Sequence, residues 1–249
     1  EQLGEQLVRA ARLAELGEMA AGFAHEINNP LQIIKAEQSL VDTIMEEMKA
    51  KGDLKPSEAL GEVEDSMRQI NTQINRCAEI TQSILKFGRK TEPVMKHVDL
   101  REFVQEILAM VTKKAAVHGI QIREEIDPDT PPIHGDPNQL QQVLLNLRNN
   151  AIDAVITRHG TQGGALTVGT GRGIDGRVKL YVKDNGCGIS PENLKKIFSP
   201  FFTTKPVGKG TGLGLSVCYG IVDRMGGSMD VNNMEGMGTA FTLYLPSAG

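Results

Sequence analysis

His25 stands in the segment Gly22-Phe23-Ala24-His25-Glu26-Ile27-Asn28-Asn29-Pro30, inside a long heptad-patterned stretch. Apolar residues recur at Leu13, Leu16, Ala20, Phe23, Ile27, Ile34, Val41, Ile44 and Met48. Those steps of three, four or seven mark the a and d seam of a helix packed in a bundle. In that register His25 falls at f, the face turned to water, so packing does not account for it. Glu26 adjoins it and Asn29 lies one turn further on. An imidazole, with an ordinary pKa of about 6.5, is largely unprotonated near neutrality and is a competent nucleophile. A glycine-rich segment at residues 208–214 supplies the other half of the pattern. The chemistry predicted is attack by His25 on a phosphoryl group.

Three further segments carry chemistry. Asn146, Asn150 and Asp153 are spaced i, i+4, i+7 and share one helix face. Such a row of short oxygen-bearing side chains holds a hydrated Mg²⁺ and reaches phosphates; read alone, it is equally a polar outer face. Asp184-Asn185-Gly186-Cys187-Gly188-Ile189 directly follows an apolar strand. A carboxylate at a strand end can accept a bond from an exocyclic amine, and the glycines let a flat ring approach the backbone. Read alone, this is an ordinary turn. Gly208-Lys209-Gly210-Thr211-Gly212-Leu213-Gly214-Leu215 runs into an apolar helix, where exposed backbone N–H groups and a helix N-terminus favour a polyphosphate. Its spacing fits neither the Rossmann nor the Walker A pattern. Between these lies Ile197–Lys205, with Phe198, Phe201 and Phe202 among turn residues. It reads as a docking lid whose Lys205 meets a phosphate, or as a buried loop anchor.

The elements that must position these residues fall into two parts. Residues 1–50 read as one helix, Lys51–Ser57 as a turn with Ser57 the next N-cap, and a second helix runs to about Phe87. The second helix repeats Leu60, Val63, Met67, Ile70, Ile74, Cys77, Thr81 and Ile84 at a/d positions. A lone hairpin leaves apolar surface exposed, and pairing two hairpins into a four-helix bundle predicts a homodimer. Residues 88–99 read as a linker. Helical signals then cover 101–117, 137–158 and 212–226, and strand signals 119–126, 165–171, 177–183, 228–233 and 239–245. Asp136 as N-cap, Pro137 at the first position and Gln139 completing a capping box begin the helix at 137. Glu235-Gly236-Met237-Gly238 reads as a hairpin turn.

Composition sets the outer limits. The 249 residues allow one large or two smaller domains, and 40% apolar with only 4% aromatic content suits aliphatic helix packing. A net charge of −4 gives no general attraction to nucleic acid or anionic lipid. Cys77, Cys187 and Cys218 form no CxxC pair, and with no signal peptide a reduced, cytoplasmic compartment is expected. The chain opens at Glu1 in helical sequence, which reads as a fragment; a membrane anchor is expected only through segments upstream of it.

Taken together and in order, these segments resemble the catalytic core of a sensor histidine kinase of two-component signalling. Phe23–Leu31 is similar to its H-box, 146–154 to the N-box, 184–189 to the G1 box, 198–205 to the F-box and 208–215 to the G2 box. The Asn-Ala-x-Asp-Ala form at 150–154, with Asn-Pro after the histidine, is similar to the nitrogen-regulatory subgroup. The resemblance covers residues 10–246. It implies an α+β architecture: residues 1–90 a dimerisation and phosphotransfer hairpin, 91–100 a linker, and 101–249 an ATP-binding α/β sandwich. That sandwich would have a mixed sheet of about five strands and about three helices.

The same resemblance implies roles. His25 would be phosphorylated, with Glu26 hydrogen-bonding its imidazole, and Asn29 would orient water for dephosphorylating a partner regulator. Asn150 would ligate Mg²⁺ with Asn146 and Asp153 close by, and Asp184 would read the adenine amine of ATP beside Gly186 and Gly188. Lys205, Gly210, Thr211, Gly212, Leu213 and Gly214 would cover the phosphates. The partner would be a response-regulator receiver domain. Two rival readings differ: a gyrase-like ATPase that hydrolyses ATP on water, or a kinase-weak dimeric scaffold or phosphatase. The last rests on Arg148, at a normally aliphatic N-box position in line with Leu144 and Ile152. Buried there, its charge must pair, snorkel or loosen the helix.

Overall fold

A computed structural model describes the backbone of residues 2–88, 93–160, 162–206 and 210–248, and their side chains except at 2–25, 79, 82–88, 110–117 and 174. The chain divides into two compact units, Glu1–Lys90 with Lys205–Thr211, and Thr91–Thr204 with Gly212–Gly249.

The first unit is an antiparallel pair of long helices, α1 (Gln2–Lys51) and α2 (Glu58–Gly88). Gly52, at φ +78°, turns the chain after α1. Ser57 caps α2, its Oγ accepting the Leu60 N–H at 3.2 Å. The seam between the helices differs from the expected one. Gln38, Ile74 and Thr81 are buried along it, with Leu31, Met45, Leu60 and Met67 half-buried. Gln38 Nε2 donates to the Met67 carbonyl at 2.5 Å, and Thr81 Oγ1 to Asn28 Oδ1 at 2.6 Å. The a/d residues Ile27, Ile34, Val41, Ile44 and Met48 are instead 37–47% exposed, as are Val63 and Ile70 on α2 at 47% and 44%. Each helix thus carries two heptad lines, one for its hairpin partner and one left uncovered. A single-stripe reading merges them.

The second unit begins within the expected linker. Three of its residues form β1 (Lys96–Val98), which pairs antiparallel with β3 (Ile133–Gly135). Strands this short leave no periodicity to read. Helix α3 (Leu100–Val117) leads to β2 (Ile120–Ile126), and β3 leads to α4 (Pro137–His159). Then follow β4 (Gly164–Arg172), β5 (Val178–Asp184), the short α5 (Pro191–Leu194), α6 (Gly214–Arg224), β6 (Ser228–Met234) and β7 (Gly238–Leu245). The sheet order is β2-β4-β5-β7-β6, with β2 parallel to β4 and the other pairs antiparallel. Alternation sends Leu166, Val168, Leu180, Val182, Phe241 and Leu243 into one buried layer with Leu140, Leu144 and Leu147 of α4. This is the mixed five-stranded sheet under three main helices that the pattern predicts. No helix among the described residues is long and apolar enough to cross a membrane.

Candidate functional site

Helix α4 supplies the polar row. Asp136 caps it, Oδ1 accepting from Asn138 N at 2.9 Å and Gln139 N at 3.3 Å, and Pro137 needs no donor at the first position. The capping box does not form, because Gln139 Oε1 is buried without a partner. Asp136 Oδ2 instead accepts the Val94 N–H at 3.0 Å. Leu140, Val143, Leu144, Leu147, Ala151, Ile152 and Val155 are buried, which turns the opposite face outward. There Asn146 and Asn150 are half-buried and Asp153 is exposed.

Among the described residues Arg148 pairs with no carboxylate, and it does not loosen the helix. Leu144 and Ile152 stay buried on either side of it. Its Nη2 donates to Asn149 Oδ1 at 2.7 Å, while Nε is buried without a partner. Burial pulls its guanidinium pKa down. This is snorkelling with one N–H left behind.

Asp184 ends β5 and is 6% exposed. Its Oδ1 accepts the Gly186 N–H at 2.8 Å and the Thr239 N–H at 3.3 Å, and Oδ2 takes neither bond. Burial raises its carboxyl pKa from the ordinary range, and the two backbone bonds oppose that rise. The loop that follows is wedged between α4 and the β6–β7 hairpin. A Cβ at Gly186 would lie 2.5 Å from the Ala154 carbonyl carbon, and one at Gly188, at φ +70°, 2.5 Å from the Met234 oxygen. Asn185 is fixed from both sides. Its Oδ1 accepts from Ala165 N at 2.8 Å, and its carbonyl accepts from Arg158 Nη1 and His159 Nε2, both at 2.9 Å. A carbonyl cannot donate, so Nε2 carries the proton, and His159 serves to hold the loop.

At the other end of the polar row, Asn146 Nδ2 donates to the Gly214 carbonyl at 3.4 Å. Helix α6 starts at Gly214 rather than 212, with Leu213 at its N-cap position. Gly212 abuts the Phe201 backbone. Phe198 packs against Tyr219 with ring centroids 5.4 Å apart, and Phe202 joins the core. Phe201 is 54% exposed at φ +65°. The segment is therefore an anchored loop at Phe198 and Phe202. Lys205, Gly210 and Thr211 are half-buried. Gly208 and Lys209 lie outside the described residues.

In the first unit, the backbone of His25 lies in α1; its side chain is outside those described. Glu26 and Asn29 are exposed, and Asn28 turns inward to Thr81. Pro30 has no N–H to give the Glu26 carbonyl, which opens the helical ladder one turn after His25. The second unit thus brings together Asn146 with Gly214, and Asp184, Gly186 and Gly188 with the β6–β7 hairpin. Sequence reasoning overlooked Thr239 and Asn233 in that hairpin. The Gly-Thr pair directly after a turn was the available signal.

Residues 135–249 match the family described as "Histidine kinase-, DNA gyrase B-, and HSP90-like ATPase". The catalytic domain of histidine kinase ThkA is 32% identical, with a TM-score of 0.54, over 61% of this chain and 95% of that one. The chain belongs to the histidine kinase family. Sensor histidine kinase ZraS of Escherichia coli (strain K12) is 36% identical over 244 residues, 98% of this chain and 48% of that protein. A crystal structure of ThkA in complex with the response regulator TrrA has a TM-score of 0.64 at 29% identity, over 99% of this chain and 66% of that one. The matches to ZraS and to the ThkA–TrrA complex span 98% and 99% of this chain, the helical hairpin as well as the sheet domain. The chain spans about half the length of the curated relatives it matches.

Proposed function

We propose that this chain is the ATP-dependent core of a protein-histidine kinase that phosphorylates His25 and passes the phosphoryl group to an aspartate of a response-regulator receiver domain. The observation that carries the reading is Asp184. It is a buried carboxylate at a strand end, with Oδ1 held by two backbone amides, and it leaves Oδ2 to an exocyclic amine. Adenine would stack against the loop at Gly186 and Gly188. Asn146 and Asn150 would face the phosphates, with Lys205, Gly210, Thr211, Gly212, Leu213 and Gly214 covering them.

The site's hard oxygen donors fit Mg²⁺, which is held by few protein ligands plus phosphates and water. Asn150 would hold it, with Asp153 nearby, and the bound ion would neutralise phosphate charge. In the transfer step an imidazole nitrogen of His25 attacks the γ-phosphorus. The bond to the β,γ-bridging oxygen breaks, ADP leaves with the electron pair, and the ring proton passes to Glu26 or water. Positioning and charge stabilisation supply most of such catalysis.

The uncovered apolar line of α1 and α2 supports a homodimer through a four-helix bundle. Three free cysteines fit a reducing cytoplasm. Exposed Glu26 and Asn29, one turn apart, fit removal of phosphate from the regulator as well. Packing of α4 on both sides of Arg148 supports the kinase reading over a kinase-weak scaffold.

The deciding experiment is ³²P labelling from ATP with acid and base treatment of the product. Base-stable, acid-labile label that disappears in His25→Ala, with nucleotide binding intact, is expected. Label retained in that variant overturns the assignment.

A further inference from the structure

We infer that Asn233 is a positioning residue for nucleotide recognition: it clamps the loop 184–189 in the conformation that presents Asp184 to the base. The inference rests on the nucleotide-binding reading above. Asn233 Oδ1 accepts the Ile189 N–H at 2.8 Å, and Nδ2 donates to the Ile189 carbonyl at 2.6 Å. One side-chain amide thereby satisfies both polar groups of one residue, as a neighbouring strand would. Thr239 Oγ1 donates to the same Oδ1 at 3.0 Å, which fixes the orientation of the carboxamide. The Gly236 N–H adds a bond to the Cys187 carbonyl at 2.7 Å.

The two ends of the loop are therefore held through one pair. Asn233 and Thr239 are register partners on β6 and β7. The side chain of Thr239 bonds Asn233 at the Ile189 end, and its backbone N–H bonds Asp184 at the other. Between those ends the loop runs so close to Ala154 that Gly186 could carry no Cβ. Releasing the Ile189 end frees the loop to swing, and a hydrogen bond to the base weakens steeply once its angle is lost. Only a carboxamide meets this demand at this reach, since it must accept two bonds and donate one. A carboxylate keeps the acceptors but sets an oxygen against the Ile189 carbonyl.

The test is titration of ATP and GTP into the whole chain, the wild type against Asn233→Ala and Asn233→Asp, at temperatures where circular dichroism shows each folded. For Asn233→Ala the expected result is a rise of about tenfold in the ATP Kd and a smaller preference for ATP over GTP. Asn233→Asp adds a pH signature. Its protonated carboxyl can donate to the Ile189 carbonyl, so the bond raises that group's pKa and exists on the acid side only. The ratio of variant to wild-type Kd should approach one near about pH 5 and grow toward about pH 8. A lower melting temperature with unchanged Kd, or a ratio flat with pH, overturns the clamp while leaving the nucleotide reading intact. A wild-type chain that binds no ATP overturns both.

Discussion

The Thr239 N–H meets Asp184 Oδ1 at 3.3 Å from a strand end 55 residues away in sequence. Two neutral amides, this one and that of Gly186, steady a carboxylate that burial would otherwise drive toward protonation. Asp184 is consequently a group whose charge is tolerated for its use rather than for the fold.

Asp184→Asn should weaken ATP binding by about ten- to a hundredfold, the loss of a charge-assisted bond of roughly 1.5–3 kcal/mol. The melting temperature should stay level or rise. A carboxyl whose folded pKa is raised favours the fold below its unfolded value and loses that contribution as pH rises through the folded one. At neutral pH its charge is thus a burden that Asn removes. The same shift places the acid loss of wild-type ATP affinity above 3.8, the ordinary value for this carboxyl, while the Asn variant should lack that limb. Calorimetric titration across pH checks both; equal affinity in the two proteins would remove Asp184 from the base site.

Arg148→Leu should stabilise the second unit by about 1 kcal/mol, because a buried N–H without a partner costs roughly 1–3 kcal/mol. In a domain of this size that is a rise of about 2–4 °C, read by scanning calorimetry. The ATP Kd should stay within about twofold. A fall in melting temperature would show that the bond to Asn149 outweighs the stranded Nε.

Ile34→Glu combined with Val41→Glu should separate subunits without unfolding them. Both side chains are exposed in the single hairpin, so a charge costs little there, whereas each apolar side chain buried in a dimer contributes about 1.5–3 kcal/mol. Sedimentation equilibrium should give 27.0 kDa for the variant and twice that mass for the parent. A parent that sediments as a monomer would remove the bundle.

Asn29→Ala should leave labelling of His25 within about threefold but slow removal of phosphate from the regulator by at least about tenfold, consistent with a general acid–base or water-orienting contribution. Unchanged removal would take Asn29 out of that step.

What the sequence disclosed depended on period and spacing. The helices at 137 and 212 and all five strands of the sheet could be read because each is long enough to repeat its pattern. The β1–β3 ribbon and α5 escaped because three or four residues carry no period. The line of α1 that meets α2 escaped for a different reason. Gln38 is polar yet buried there, while the apolar Ile34 and Val41 are uncovered in the single hairpin, so hydropathy displays their line and not the one facing α2. Within the site, Asp184 was recognisable from a strand-end carboxylate followed by glycines. Asn233 was not, because its importance lies in two hydrogen bonds to a backbone 44 residues away.

The carboxylate of Asp136 is shared between two tasks, one oxygen on the first turn of α4 and the other on Val94. In mechanical terms it is a coupling pin. One side chain thereby fastens the chain at Val94 directly to the first turn of the helix that carries Asn146 and Asn150.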